Sequence, residues 1–326
     1  MHQSLRWDAH ACLPLHPQAS LDPLLQYSRA GVGYVSVNVG MDMNPLEQVM
    51  RTLAGFRAAL QAHPRLTLAG DLAQIRAAAA QGILSVGFDL EGALPLLELP
   101  QMVALYRTLG VRQIHLAYNR NNAAASGCHD HDEGLSNLGV ALVQAMNRAG
   151  VIVDCSHMSA RSSVEASECS AHPVVFSHAN PLALAQHGRN ITDDQIRAVS
   201  RSGGVVCLSG VNAFLGEEHP TLETLARHIV YVIELVGVEH VGVGLDVGFH
   251  QEGIHDDPPA PFDPDYWWPP SAGYADGISQ IRYVQPTSWS ALPEALAQHG
   301  MSDAEIDAVL GENMARVLAE VERGVE

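Results

Sequence analysis

The sequence has few basic residues and no regular cysteine pattern, and both shortages exclude classes of protein. It contains 18 Lys and Arg against 36 Asp and Glu, which gives a formal net charge of −18. Because this charge repels phosphate backbones, we expect no binding to nucleic acid. The five cysteines are odd in number and lack the spacing of a zinc ribbon or finger. A disulfide scaffold is therefore disfavoured, and a reducing compartment is favoured.

Long apolar runs are also missing. No stretch approaches the roughly 18 consecutive apolar residues of a transmembrane helix, and the N-terminus does not have the charged and apolar regions of a signal peptide. We therefore expect a cytoplasmic protein with no membrane contact. Neither GxGxxG nor GxxxxGK[ST] follows an apolar run, which excludes the usual nucleotide-binding folds.

The sequence does contain a repeated pairing of a short, β-branched apolar run with a helical stretch. Runs that are apolar on both faces are typical of buried parallel strands. The predicted strands are Trp7–His10, Tyr34–Val39, Leu84–Leu90, Gln113–Tyr118, Ile152–Ser156, Val174–Ser177, Val205–Ser209 and Val241–Leu245, with a shorter candidate at Leu66–Ala69. About eight such units without a break in composition predict a single (β/α)8 TIM-like barrel of the α/β class over residues 1–326. A doubly wound open sheet is the alternative.

Several of the intervening stretches carry helical signals. The spacing of apolar residues predicts helices over Pro45–Gln61, Leu138–Arg148 and Leu222–Val236. Capping boxes at Thr192–Gln195 and Ser302–Glu305 mark the starts of two more helices, which are expected to run through residues 199 and 310.

One loop stands out by its length and composition. Residues His255–Gly277 follow the last predicted strand and are rich in proline, aspartate and aromatic residues. In a barrel this loop would hang over the catalytic face. It is either a cover for the substrate or a structured surface excursion.

The ends of the predicted strands carry polar residues. In a parallel barrel these ends converge on one mouth, where the chemistry takes place. Four of them, each ending a separate strand, are candidate metal ligands: His10, Glu91, His157 and His178. Imidazole and carboxylate suit zinc, and one carboxylate can bridge two ions. Zinc supplies hydroxide at neutral pH, and Asp246 at the last strand end is placed to move protons.

These strand ends resemble the motifs of the membrane dipeptidase (renal dipeptidase-like) family, part of the metal-dependent amidohydrolase superfamily, and they occur in the same order along the chain. The resemblance covers nearly the whole chain. The stretches that carry it are Asp8–His10, Leu90–Gly92, Gly139–His157, Phe176–Gln195, Gly242–Asp246 and Gly311–Arg316. It implies a (β/α)8 barrel with two zinc ions that cleaves dipeptides, tolerates a D-residue on the C-terminal side and forms a homodimer.

The resemblance also implies a set of metal ligands. His10 would bind one zinc ion, Glu91 would bridge both, and His157 with His178 would bind the second. The family has an aspartate ligand two residues after the first histidine, and this chain has Cys12 there. A thiolate binds zinc well, so Cys12 is a candidate ligand; the alternative is a first site that is weak or empty. One or two zinc ions per chain are both open.

The remaining implied positions concern substrate and catalysis. Arg189 would bind the terminal carboxylate of the substrate through its planar, bidentate fork, and Asn190 is a further candidate for substrate contact. Asp246 would protonate the leaving amine. Tyr118 stands where the family has a histidine that contacts the oxygen of the reacting carbonyl, and a phenol can donate the same hydrogen bond.

The leading hypothesis is a zinc-dependent dipeptidase that hydrolyses L-Xaa-L/D-Xaa dipeptides by metal-bound hydroxide. The departures at Cys12 and Tyr118 keep two alternatives open. One is a related amidohydrolase that acts on another small amide, an N-acyl amino acid or a lactone. The other is a catalytically impaired barrel that has lost one metal site and serves as a binding or scaffold protein.

Overall fold

A computed structural model describes residues 4–256, 262–274 and 277–323 of the chain. Its strands pair only in parallel. They are β1 Trp7–Cys12, β2 Tyr34–Met41, β3 Leu66–Leu68, β4 Leu84–Glu91, β5 Val111–His115, β6 Ile152–Asp154, β7 Val175–Phe176, β8 Val205–Leu208, β9 Val241–Val243 and β10 Val247–Gly248. Each predicted strand therefore has a counterpart in the structure.

The strands close into a barrel. Their order is β10-β1-β2-β4-β5-β6-β7-β8-β9, with β3 beside the start of β4. β9 and β10 belong to one segment that is interrupted at Gly244–Asp246. Since β9 pairs with β8 and β10 pairs with β1, this segment joins the last strand position to the first. The predicted (β/α)8 TIM-like barrel is confirmed, and the open sheet is excluded.

Helices follow the strands around the barrel. Within the described residues the α-helices are α1 Leu25–Arg29, α2 Leu46–Ala62, α3 Leu72–Ala79, α4 Met102–Thr108, α5 Asn137–Ala149, α6 Ala160–Cys169, α7 Asp193–Arg201, α8 Asn212–Leu215, α9 Leu222–Val236, α10 Pro264–Trp267, α11 Leu292–Gln298, α12 Asp303–Asp307 and α13 Asn313–Glu322. The prediction for α9 matches at both ends, and those for α2 and α5 match within one residue. Both predicted capping boxes form, at Thr192 and at Ser302.

The helix predicted from Ser302 to residue 310 ends earlier, at Asp307. The chain continues as a wider π-type turn, Ala308–Glu312, before α13 begins. At Gly311 the carbonyl oxygen of Leu5 lies 2.0 Å from the position that a Cβ atom would take. Only glycine fits there, so contact with the segment before β1 sets the path of this turn.

The fifth strand differs most from its prediction. It was expected over Gln113–Tyr118, but β5 ends at His115. Beyond that point the backbone N–H of Tyr118 donates to Asp42 Oδ2 (2.9 Å), and Asn119 takes a left-handed φ of 58°. The apolar run therefore leaves the ladder early, and His115 is the residue that ends the strand.

Two further observations bear on the sequence expectations. All five cysteines are free thiols, as expected for a chain without a disulfide scaffold. In the part of the chain that the structure describes, no helix combines the length and the apolar character needed to cross a bilayer.

Candidate metal centre

Three of the strand-end histidines converge on one carboxylate oxygen of a fourth strand-end residue, Glu91. Glu91 Oε1 lies 2.9 Å from His157 Nε2, 3.4 Å from His10 Nε2 and 3.5 Å from His178 Nε2. The second oxygen, Oε2, accepts a hydrogen bond from the side-chain amide of Asn38. All four residues are buried, with no more than 6% of any of them exposed. The predicted cluster of His10, Glu91, His157 and His178 is therefore assembled at the mouth of the barrel.

Each of the three imidazoles presents Nε2 to the centre and turns Nδ1 toward a polar neighbour. His157 Nδ1 lies 2.7 Å from Asn119 Oδ1, and His178 Nδ1 lies 2.8 Å from Ser177 Oγ. His10 Nδ1 lies 3.4 Å from Asp89 Oδ1. For His157 and His178, a hydrogen-bond partner on the outer nitrogen fixes the ring and leaves the inner nitrogen to bind a metal, which is the usual support of histidine ligands. Among the described residues, His10 Nδ1 has no hydrogen-bond partner.

Cys12 and Asp246 border the cluster on the side of His10. Cys12 Sγ lies 3.4 Å from His10 Nε2, and Asp246 Oδ1 lies 3.8 Å from the same nitrogen. The side chain of Asp246 is 18% exposed, compared with 4% for Glu91. Asp246 is thus more open to an incoming molecule than the carboxylate at the centre.

Unusual backbone conformations aim these side chains. His157 and Asp246 have left-handed φ values of 67° and 60°, a region that non-glycine residues seldom occupy. Such conformations persist where the surrounding structure holds them, and they concentrate at functional sites. Gly92, directly after Glu91, has a φ of 131°, and a Cβ there would lie 2.2 Å from the Asp42 carboxyl group. Only glycine therefore fits at the position directly after Glu91.

Burial governs the protonation of the cluster. It raises the pKa of Glu91 to about 7 and that of the Cys12 thiol to about 12, and it also raises the pKa of Asp246. For His157 and His178, burial and neighbouring cationic groups lower the pKa well below its usual value. Both rings are therefore neutral at pH 7, which is the form that binds metals.

The donor set fits a divalent metal ion. A single carboxylate oxygen faces three imidazole nitrogens, and a proton on one nitrogen can satisfy only one of these contacts. A cation between them satisfies all of them. Three groups of side chains offer ligand atoms within 4.8 Å of one another: His10, Cys12 and Glu91; His10, His178 and Asp246; and Glu91, His115 and His157. Nitrogen, carboxylate and thiolate ligands together suit zinc.

Arg189 lies beside this cluster as a buried cation without a carboxylate partner among the described residues. Its Nη2 donates to the main-chain oxygen of His178 (3.1 Å), and its guanidinium carbon lies 5.5 Å from the centroid of the Phe214 ring. Within the described ranges, Nε has no hydrogen-bond partner. Because an unpaired buried charge is costly, the arrangement suits a ligand that brings a negative charge.

Tyr118 lies beside His157, with ring centroids 4.3 Å apart. Its hydroxyl accepts a hydrogen bond from Trp268 Nε1 (3.1 Å), which leaves the O–H free to donate. Burial raises the pKa of Tyr118 well above its usual value, so the phenol keeps its proton. It can therefore act as a neutral donor to an oxygen atom.

The loop predicted to hang over the barrel does reach the mouth. Asn119 Nδ2 donates to the carbonyl of Trp267 (3.0 Å), and the N–H of Gly188 donates to the carbonyl of Ala272 (2.9 Å). Residues 257–261 and 275–276 of this loop lie outside the described residues. The described part fastens an aromatic segment next to Tyr118 and Arg189.

Asn190 was a candidate from its sequence position, and His115 was not. Both amide hydrogens of Asn190 are used, by the carbonyls of Ala185 and Phe214 at 2.8 Å each, so only Oδ1 is left for another contact. His115 is fully buried and belongs to one of the three ligand groups. Placing the end of the strand at Tyr118 put His115 in mid-strand; an end three residues earlier would have identified it.

Comparison with known proteins identifies one family whose profile covers most of the chain. The sequence profile of the membrane dipeptidase family (Peptidase family M19) matches residues 13–259. Dipeptidase verJ from Clonostachys rogersoniana is 29% identical over 261 residues, 79% of this chain. The match spans only 61% of the length of that protein, and 42% and 47% of two other curated dipeptidase relatives.

Solved structures show the same fold at low identity. An amidohydrolase from Pseudomonas aeruginosa superposes with a TM-score of 0.85 at 24% identity, covering 98% of this chain and 96% of that chain. A metallo peptidase from Rhodobacter sphaeroides, solved with a phosphinate mimic of the dipeptide L-Ala-D-Ala, gives a TM-score of 0.74 at 20% identity, covering 98% and 100%. Both likenesses concern the barrel as a whole.

Proposed function

Because the chain belongs to the membrane dipeptidase family (Peptidase family M19), we propose that it is a metal-dependent dipeptidase. The observation that carries this proposal is the convergence of three histidines on the carboxylate of Glu91 beside the buried Arg189, which pairs with no carboxylate among the described residues. The cluster of histidines and Glu91 offers a metal site, and Arg189 offers a partner for the carboxylate that every free dipeptide carries.

We further propose that zinc is the ion. His10, Cys12 and Glu91 would hold one ion, and Glu91, His157 and His178 would hold a second. When bound, zinc would supply Lewis acidity, which polarises a carbonyl group and lowers the pKa of water so that hydroxide is available as the nucleophile near pH 7. The mixture of nitrogen, oxygen and sulfur ligands supports zinc over magnesium or calcium, which prefer oxygen alone.

The other roles fall to the chain's own residues. Arg189 binds the terminal carboxylate and thereby sets the position of the scissile bond. The Tyr118 hydroxyl donates to the carbonyl oxygen as negative charge develops on it. Asp246 accepts a proton from the attacking water and passes it to the leaving amine nitrogen as the C–N bond breaks. The products are two free amino acids, so every atom of water and dipeptide is accounted for.

A substrate panel tests the proposal. The zinc-reconstituted protein is assayed with L-Ala-L-Ala, L-Ala-D-Ala, N-acetyl-L-alanine and δ-valerolactone. We expect turnover of at least one dipeptide. Hydrolysis of the N-acyl amino acid or the lactone, but of neither dipeptide, would select a related amidohydrolase instead. No turnover of either dipeptide with zinc bound would count against the proposal, and metal content near zero without hydrolysis would favour a binding protein on a barrel scaffold.

Arg189→Gln is expected to weaken substrate binding more than it slows the chemical step. Loss of a charge-assisted, bidentate contact with the terminal carboxylate should raise KM about 10–100-fold. The native protein should also prefer a dipeptide over its C-terminal amide, and the variant should lose that preference. Steady-state kinetics with both compounds measures the effect. Arg197→Gln, on an exposed side chain, serves as the control. An unchanged preference in the Arg189 variant would contradict the assignment.

Cys12→Asp is expected to raise zinc occupancy. The change supplies a carboxylate that stays ionised far more readily than a buried thiol, so the first site should fill at lower zinc concentration. Elemental analysis of native and variant protein after identical purification gives the stoichiometry. Equal occupancy near two ions per chain would show that Cys12 already ligates, or that this position is not needed.

Zinc binding is expected to strengthen as pH rises. Burial raises the pKa of Cys12 to about 12 and of Glu91 to about 7 in the metal-free protein, so near neutrality both groups hold protons that the metal must displace. The free-energy cost of displacing the Glu91 proton grows as pH falls below 7. The cost of displacing the Cys12 proton is present across the neutral range. If Cys12 ligates, the native protein should release about one more proton than Cys12→Ala. Calorimetry in buffers of different ionisation enthalpy measures this number, and equal proton release would show that the thiol stays protonated.

A further inference from the structure

His115 lies at the level of the metal centre although it is outside the proposed ligand set. It ends β5, where it is in register with Glu91 on β4 and with Asp154 on β6. Paired residues on neighbouring parallel strands point their side chains to the same face of the sheet. His115 therefore points into the barrel interior, as does the carboxylate on which the other histidines converge.

The surroundings of its two ring nitrogens differ sharply. Nε2 lies 2.7 Å from Asp154 Oδ2, with both side chains fully buried. Nδ1 is buried and has no hydrogen-bond partner among the described residues. In His157 and His178 a polar neighbour holds Nδ1 and Nε2 faces the centre. His115 has the same arrangement with the roles of Nδ1 and Nε2 exchanged. A buried nitrogen without a partner is costly unless something else binds it.

The ring also lies close enough to join the centre. Its centroid is 5.5 Å from that of His178, 5.7 Å from that of His157 and 6.1 Å from that of His10. One of its ring nitrogens lies within 4.8 Å of ligand atoms on both Glu91 and His157. Atoms this close can share one ion after small movements of their side chains.

We propose that His115 is a further ligand of the metal centre, with Asp154 as the residue that positions its ring. The carboxylate–histidine pair matches the usual support of a metal-bound imidazole, in which the carboxylate fixes the tautomer and raises the basicity of the other nitrogen. This ligand would join Glu91 and His157 at the second of the two proposed ions. The inference rests on the metal centre of the proposed function, but it is tested by metal binding alone.

The main competing role is structural, with His115 and Asp154 serving as a buried polar pair that joins β5 to β6. Asp154 has other bonds that would support such a role, because its Oδ1 accepts from the backbone N–H groups of Ser156 and Ser177. The two roles differ in what a substitution changes. A ligand alters metal affinity and the spectrum of the bound ion, whereas a structural pair alters the stability of the metal-free protein.

The test compares His115→Gln with His228→Gln in the full-length chain. His228 is a buried histidine of α9 outside the cluster, so it controls for the loss of a buried imidazole. Affinity for Co²⁺ and Zn²⁺ is measured by competition with a chromophoric chelator, and the visible spectrum of bound Co²⁺ reports its ligands. We expect His115→Gln to lose about 10–100-fold in affinity or more and to change the Co²⁺ spectrum, while His228→Gln changes neither.

A second variant covers the case in which His115→Gln does not fold. Asp154→Asn keeps an acceptor for the two serine amides, and it should lower metal affinity about 10–100-fold while the Co²⁺ spectrum keeps its intensity. Affinities within threefold of native in both variants, with an unchanged spectrum, would overturn the inference and leave the dipeptidase proposal standing. If the native chain binds no metal at all, both proposals fail.

Discussion

Glu91→Gln is expected to empty the metal centre and to lower hydrolysis by about three orders of magnitude or more. Glu91 is the only carboxylate in contact with all three of His10, His157 and His178 within the described residues, so no neighbour can replace its charge. The amide of glutamine has nearly the same shape but is a poor ligand for zinc. Metal affinity should therefore fall more than ~100-fold for either ion.

The substitution should leave the metal-free fold intact. The side-chain carbonyl of glutamine can still accept a hydrogen bond from Asn38. A neutral amide also avoids the cost of burying a charge, which is what raises the pKa of Glu91. Melting temperatures separate the two effects, because zinc stabilises only a protein that binds it. Native protein should melt at a higher temperature when zinc is added, and the variant should not.

Glu47→Gln, on a side chain that is 75% exposed, provides the matched control and should keep metal and activity. A Glu91 variant that retains native metal stoichiometry would remove the central assumption of the proposed function. A variant that is already unfolded without metal would show instead that Glu91 is needed for the fold.

The regular part of this architecture was predictable because it depends on local patterns. Apolar runs on both faces identified the strands, and capping boxes at Thr192 and Ser302 located the starts of two helices. Parallel strands in a barrel must bring their ends together, so polar residues after those runs pointed to one mouth. The assignment of His10, Glu91, His157 and His178 to particular ions came from resemblance to a family, since periodicity carries no information on coordination.

The structural features that could not be predicted from the sequence depend on contacts between distant segments. Beyond the end of β5, the backbone N–H of Tyr118 donates to Asp42, which lies 76 residues earlier in the chain. No local pattern reveals that bond, and for this reason His115 was missed. The lack of a carboxylate partner for Arg189 among the described residues and the hydrogen bond from the Trp268 indole to Tyr118 are likewise properties of the folded chain.

Asp246→Asn is expected to lower kcat about 100–10,000-fold with little change in KM, because the variant can no longer carry a proton from water to the leaving amine. Burial raises the pKa of Asp246, which brings the carboxyl group closer to the pH at which it must both accept and release a proton. The steady-state rate across pH 5–9 measures both effects. Asp194→Asn, on a side chain that is 92% exposed, is the control.

Metal content decides how a loss of activity in Asp246→Asn should be interpreted. Asp246 Oδ1 lies 3.8 Å from His10 Nε2, and the residue belongs to one of the groups that could hold an ion. Full metal content with a low kcat would support the proton-transfer role. A loss of metal would make Asp246 a ligand, and another group would then have to protonate the amine. Native kcat with full metal content would exclude both roles, so a single variant separates all three possibilities.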